Sequence, residues 1–304
     1  MQTVKLIEYM EELRYKRKLS QHFYLEGIVS QRQYYRYRDG TSEPSFSTLG
    51  MLSDKLGIPL GKLITDYFEN EEIIKKKTRK YFNHIINKNF NDANLVYLDL
   101  KDRSITDLDC LMTIKVGEVL KEFYLGTIHL EHFIFEVKKI INFESIMEKE
   151  SLFDVELYML GLIMEYSTLD RENVLEFILN AFKEDKILKT GNRLFVIQAY
   201  FWIIKNLGRL ERYDDLINVA EEALEYSKLK FSSYCLEYLY YYKALAHFNL
   251  QQKFEFDTEI SNTLIVLLQL EESKKHKFLK TIENDTSINI EKYMKKIIDY
   301  KIQK

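Results

Sequence analysis

The 304-residue chain is 46% hydrophobic, 30% charged and 14% aromatic, enough apolar material for a buried core and too little polar bias for general disorder. Its 10 Gly and 2 Pro are too few for the turns of sandwiches and barrels or for Gly-rich nucleotide loops, so an all-α fold is expected. The formal charge of −3 is uneven: residues 1–68 hold 10 Lys and Arg against 8 Asp and Glu, the remainder 34 against 39, a small basic head on a mildly acidic body, which points to nucleic acid at the head alone.

From Val4 to Lys18 the apolar residues Val4, Leu6, Ile7, Met10 and Leu13 alternate with Glu8, Glu11, Glu12, Arg14 and Lys16 at amphipathic helix spacing. Ser20 is placed to cap a second helix, Gln21 to Glu26, which Gly27 closes. Ser30, with Gln33 at capping-box spacing, opens a short basic third helix, Gln31 to Arg38, ended by Asp39-Gly40. Ser45 caps a fourth through Leu49, Leu52 and Leu56, and Pro59 stands at the first position of a fifth that ends near Phe68.

Five short helices with Leu19-Ser20-Gln21, then Ser30 to Gly40, then Pro44-Ser45 and Leu49 resemble, over about 65 residues, the helix-turn-helix head of Xre/Cro-type repressors. The resemblance implies a five-helix, lambda-repressor-like DNA-binding domain over 1–68 whose third helix enters the major groove. Gln31, Arg32 and Tyr35 then face the bases, Gln suiting adenine and Arg guanine, while Gln21, Arg36, Arg38 and Thr41 hold phosphates or position the helix. Tyr34 and Tyr37 are expected in the core. Tyr24-Leu25 stands where the family usually has a small residue.

Residues 69–90, with Glu69 to Glu72, Lys75-Lys76-Lys77, Arg79 and Lys80 and no Pro or Gly, are expected as a charged helical connection. Helical patterns then recur at about 105–125, 128–142, 152–166, 171–184, 192–207, 212–228, 231–250 and 254–271, separated by short polar breaks, as in a solenoid. The pair from Tyr200, Ile203, Ile204 and Leu207 across Gly208-Arg209-Leu210 to Tyr213, Leu216, Ala220 and Ala223 resembles a tetratricopeptide repeat. Tyr240, Ala244, Phe248, Leu250 and Phe254 echo it about 40 residues on.

A Cro-type head on a degenerate tetratricopeptide-like body, 91–304, resembles the Rgg, PlcR and PrgX group of peptide-pheromone receptors. That resemblance implies a homodimer on a double-stranded DNA operator and a short linear signalling peptide in the groove of the body, with Asn192, Arg193, Gln198, Tyr200, Asn206, Tyr238, Tyr241 and Tyr242 as candidate peptide contacts. Each of these also has a packing or capping role open to it.

No phosphate loop, GxSxG, HExxH or dinucleotide fingerprint occurs, so no enzyme activity, cofactor or metal is expected. His129 and His132 with Glu131 lack further ligands at zinc spacing, and Cys110 and Cys235 are expected as reduced core residues. No apolar run spans a membrane and no signal region follows Met1, so the expected location is the cytoplasm. The leading expectation is therefore a transcription regulator of quorum sensing or of a mobile element, controlled by a re-imported peptide. A helical-repeat interaction scaffold and a phage-type repressor without a peptide ligand remain the alternatives.

Overall fold

The computed structural model describes residues 2–103, 105–188, 193–290, 293 and 295. Among these, sixteen α-helices and two two-residue strands make up the regular structure, and no helix is long and apolar enough to cross a membrane. The chain divides into two compact units, Met1–Thr127 and Ile128–Lys304.

The first unit opens with α1 (Gln2–Lys16), α2 (Gln21–Leu25), α3 (Gln31–Arg38) and α4 (Phe46–Lys55). All three serine caps form: Ser20 Oγ accepts from the Phe23 N–H at 3.2 Å, Ser30 Oγ from Gln33 at 3.1 Å and Ser45 Oγ from Thr48 at 3.1 Å, each satisfying a helix donor that has no intrahelical partner. The capping box at Ser30 is only half closed, because the Gln33 amide donates to Ser42 Oγ at 3.0 Å and its side chain does not return to Ser30. The turn after α3 demands glycine on two counts: Gly40 has φ +77°, and a Cβ there would lie 3.3 Å from Val4 Cγ2. Ile7, Met10, Tyr24, Tyr34, Leu52 and Leu56 form the centre of this head. Tyr24 fills it edge-on to Tyr34, ring centroids 5.9 Å apart.

The fifth helix differs from expectation at both ends. Helix α5 (Leu60–Ile86) starts one residue after Pro59, which is its N-cap, and continues past Phe68 without a break. Leu63 and Tyr67, then Ile74, Thr78, Tyr81, Phe82 and Ile85, are buried at helical spacing, so the charged residues between them occupy the outer face and nothing ends the helix. Helix α6 (Phe90–Lys101), absent from the expected elements, and α7 (Leu108–Tyr124) complete the unit. Tyr81 packs against Tyr97 at 5.8 Å and covers Gly117, where a Cβ would be 2.6 Å from its ring.

The second unit comprises α8 (Leu130–Ile141), α9 (Phe143–Ile146), α10 (Asp154–Tyr166), α11 (Arg171–Lys183), α12 (Arg193–Arg209), α13 (Tyr213–Leu229), α14 (Leu236–Asn249), α15 (Lys253–Leu267) and α16 (Glu272–Thr286). Strands β1 (Leu152–Phe153) and β2 (Ile187–Leu188) pair in parallel, Leu152 opposite Ile187, and tie the start of α10 to the chain leaving α11. Helices α10/α11, α12/α13 and α14/α15 are successive hairpins. Small residues admit close neighbours: Ala220 and Ala223 are fully buried, and at Gly161 a Cβ would lie 2.2 Å from Trp202 Cε3.

The hairpin turn expected at Gly208-Arg209-Leu210 falls later, since α12 runs through Arg209 and Glu211 takes the left-handed conformation, φ +57°. Gln251, φ +61°, does the same forty residues on, and Lys88, φ +59°, between α5 and α6. Each turn is closed by a six-residue bond: Arg212 N–H to Leu207 O at 3.0 Å, Gln252 to His247 at 2.9 Å, Asn89 to His84 at 2.8 Å. These are Schellman turns made without glycine. Helix α14 begins at Leu236 rather than at 231 because Phe231 and Cys235 are both left-handed, φ +49° and +59°, and α16 lies beyond the last expected helix. Both cysteines are buried free thiols, and burial pushes each up to about 12. His129 precedes α8 as its N-cap and His132 stacks on Phe135 at 6.3 Å.

Candidate functional site

In the head, α3 is fastened by its inner side. Tyr34 and Tyr37 are buried, and Tyr34 OH donates to Glu11 Oε2 at 2.9 Å. That carboxylate also accepts from Arg14 at 2.7 and 2.9 Å, and the Arg14 hydrogen bond holds the Glu11 carboxyl below its ordinary range. The outer side is left with Gln31, Arg32, Tyr35 and Arg36, all exposed. Neither Arg32 nor Arg36 has an ion pair among the described residues.

Gln31 Nε2 donates to Gln21 Oε1 at 3.0 Å, which joins the first residues of α2 and α3 and holds the Gln31 amide plane in place. Its carbonyl and one N–H stay available, the donor and acceptor pair that an adenine edge requires. Two of the expected positioning residues are otherwise engaged. Arg38 turns toward Glu11, 3.9 Å away, and Thr41 gives both its N–H, at 3.0 Å, and its hydroxyl, at 2.7 Å, to Asp39 Oδ1. Those bonds keep the Asp39 carboxyl below its usual range. Three exposed side chains of this region went unmarked in the sequence: Phe46, 74% exposed at the start of α4, Met51, and Phe23, whose ring lies 4.7 Å under the Lys55 ammonium. Helical spacing alone cannot single them out.

In the second unit the expected peptide contacts separate onto two sides of α12. At 3.6 residues per turn, Leu194, Gln198, Phe201, Lys205 and Arg209 share one face, and Arg193 and Tyr200 point the opposite way. On the first face Phe201 meets Tyr238 and Tyr242 of α14 at 5.0 and 6.0 Å, and Tyr238 meets Phe278 of α16 at 5.0 Å. Gln198 Oε1 accepts from Tyr234 OH at 2.6 Å. At the other end Lys205 Nζ and the Arg209 guanidinium converge on Glu165 at 2.5 and 3.3 Å. The result is an aromatic strip with an amide at one end and paired charges at the other, suited to an extended chain that offers apolar side chains and backbone groups.

The remaining candidates do not join it. Tyr200 is packed against Phe182 at 4.3 Å, and Arg193 donates to the Lys230 carbonyl at 2.7 Å. Tyr241 is buried, its hydroxyl given to Asp285. Asn206, expected in the groove, has no exposed surface: its amide donates to Trp202 O at 2.8 Å and accepts from Arg209 at 3.0 Å. Asn192 lies outside the described residues. Phe201, Lys205, Arg209 and Glu165 were missed, although the polar residues Gln198, Lys205 and Arg209 recur at helical spacing and mark the open face on which Leu194 and Phe201 also lie. Among the described residues no group of three or more His, Cys, Asp or Glu is placed to hold a metal ion.

No family model and no curated protein matches the chain. Solved structures do. PlcR of Bacillus thuringiensis, in complex with the peptide PapR7 and DNA, is 20% identical with a TM-score of 0.50, over 92% of this chain and 99% of that one. ComR of Streptococcus vestibularis, in complex with its cognate signaling peptide XIP, is 15% identical with a TM-score of 0.58, over 94% and 100%. The apo form of PlcR is 16% identical at 0.53, over 91% and 98%. The chain has the helical fold of these regulators along nearly its whole length.

Proposed function

We propose that this protein is a DNA-binding transcription regulator whose helical body senses a short linear peptide. The observation that carries it is α3: a short basic helix clamped inward by Tyr34 and Tyr37 and presenting Gln31, Arg32, Tyr35 and Arg36 outward, the arrangement that major-groove reading requires. PlcR, of the same fold, is a complex with both peptide and DNA, and ComR one with its signaling peptide, which supports assigning the peptide to the strip of Gln198, Phe201, Tyr238 and Tyr242. Gln31 and Arg32 read base edges, Tyr35 adds apolar contact, and Gln21 and Arg36 hold register and phosphate. Arg38 and Thr41 support the recognition helix from within. The protein acts in the cytoplasm as a homodimer on a two-half-site operator, because one short helix reads too few bases for adequate specificity.

Arg32→Ala tests the head. Affinity for the selected operator falls by about 1–3 kcal/mol while that for random DNA changes little, measured by titration at fixed salt. Equal losses on both DNAs move Arg32 to the backbone. For the body, Phe201→Ala should abolish the response of operator affinity to peptides extracted from the producing cells. If extracts leave the unaltered protein's DNA binding and melting temperature unchanged, the interaction-scaffold reading replaces the receptor.

A further inference from the structure

Opposite the aromatic strip, α11, α12 and α13 enclose a cavity of about 650 Å³, within the range of small-molecule sites. Its floor is aromatic, Phe182 packed on Tyr200 with centroids 4.3 Å apart and planes tilted by 32°. Its wall on α13 carries Asp215, Glu221, Glu222 and Glu225. Two of these four carboxylates are already neutralised, Asp215 by Arg212 at 2.7 Å and Glu221 by Lys243 at 3.0 Å. Glu222 and Glu225 have no ion pair among the described residues, and of the two cationic lining residues Arg212 is held by Glu176 and Asp215, which leaves Lys183.

The second observation is Tyr200 itself. Its side chain is 4% exposed and lines the cavity, yet its hydroxyl makes no hydrogen bond among the described residues. Burial, and then the Glu222 charge, raises the pKa of that phenol. An unpartnered phenol oxygen at the cavity surface can accept from a ligand that only donates. A guanidinium is such a ligand: it has five N–H donors and no acceptor, is planar, and stacks on aromatic faces.

We propose that this cavity is a second binding site, separate from the aromatic strip, for a guanidinium-bearing ligand that stacks on Phe182, donates to the Tyr200 oxygen and pairs with Glu222 and Glu225. The site does not depend on the DNA-reading or peptide-sensing roles proposed above. The guanidinium belongs either to a free small amine or to an arginine side chain in a peptide, and two probes tell these apart.

The full chain is titrated calorimetrically with agmatine and with N-acetyl-arginine methylamide, using N-acetyl-citrulline methylamide as the neutral isostere. Saturable one-to-one binding of either guanidinium probe, absent for the isostere, is the expected result, and the tighter probe identifies the source. Glu222→Gln, at an exposed position, and Tyr200→Phe, which keeps the ring, should each weaken binding by about tenfold or more, the equivalent of one charge-assisted hydrogen bond. Phe201→Ala, on the opposite face of α12, should leave it unchanged. Failure of both probes to bind, binding of the isostere at equal strength, or insensitivity to both Glu222→Gln and Tyr200→Phe overturns the site.

Discussion

Two tyrosines packed edge-on in the same core should respond to the same substitution with opposite signs. The Tyr24 hydroxyl is fully buried without a hydrogen-bond partner, whereas Tyr34 OH donates to Glu11 Oε2 at 2.9 Å. Replacing either by Phe keeps the ring and the edge-on contact at 5.9 Å, so only the oxygen is tested. Tyr24→Phe removes a polar group that was desolvated without return, and the head should gain about 1 kcal/mol from a penalty of ~1–3. Tyr34→Phe removes a bond to a charged acceptor. Arg14 still satisfies that acceptor twice, so the loss should be about 1.5 kcal/mol rather than the upper end of the range. The readout is hydrogen–deuterium exchange of α1 and α3 amides in the full chain across a urea series, which isolates the stability of the head. Destabilisation by both substitutions would show that Tyr24 has a hidden partner, and equal effects would refute the assignment of the Glu11 bond.

Three further outcomes follow from the geometry. Gly161→Ala places a methyl 2.2 Å from Trp202 Cε3 and should cost about 3 kcal/mol. Trp202 is the single tryptophan of the chain, so a red-shifted emission accompanies the lowered melting temperature, and an unshifted spectrum would mean that the backbone gives instead. The Glu11 carboxyl is depressed in the folded head, first by its Arg14 hydrogen bond. Its contribution is therefore complete above the unfolded value of about 4.3 and is lost as pH falls through the lower folded one, so Glu11→Gln should flatten the acid limb of the α1 exchange profile. Lys243 is buried between Glu259 at 2.9 Å and the exposed Glu221 at 3.0 Å. Lys243→Met strands the Glu259 charge and should destabilise α14 and α15 by about 3 kcal/mol in thermal unfolding, an effect that Lys243→Met with Glu259→Leu should largely restore.

What the sequence discloses depends on how far each interaction reaches. The caps at Ser20, Ser30 and Ser45 are formed by neighbours three residues away, and all are legible. Gln33 has the right spacing for a capping box, yet its amide goes to Ser42, nine residues on, a choice made by the fold of the loop. The end of α5 is illegible for a similar reason: Ile74, Thr78, Tyr81 and Ile85 sit among Lys and Glu, and only the packing of α6 and α7 turns that thin stripe into a core. On α3 the division into inner tyrosines and outer Gln31, Arg32 and Tyr35 follows directly from helical spacing. On α12 the amide and aromatic types drew Tyr200 and Asn206 into the expected groove, but side-chain chemistry is silent about facing. Periodicity of the polar positions Gln198, Lys205 and Arg209 would have selected that face, and with it Phe201, three residues after Gln198. The Schellman turns at Lys88, Glu211 and Gln251 leave no glycine for a sequence reader to notice.

The unbroken α5 also has a mechanical meaning. Its 27 residues make a rod of roughly 40 Å, with Leu63 set in the core of the head and Tyr81 and Ile85 set among α6 and α7. A rod held at both ends works as a lever: a tilt of about 5° at the far end carries the near end through ~3.5 Å, close to the spacing of one base pair. A flexible tether would absorb such a tilt. Here α3, which shares a core with Leu63, moves with it, so in the DNA-reading role proposed above, register would follow how the distal half of α5 is seated.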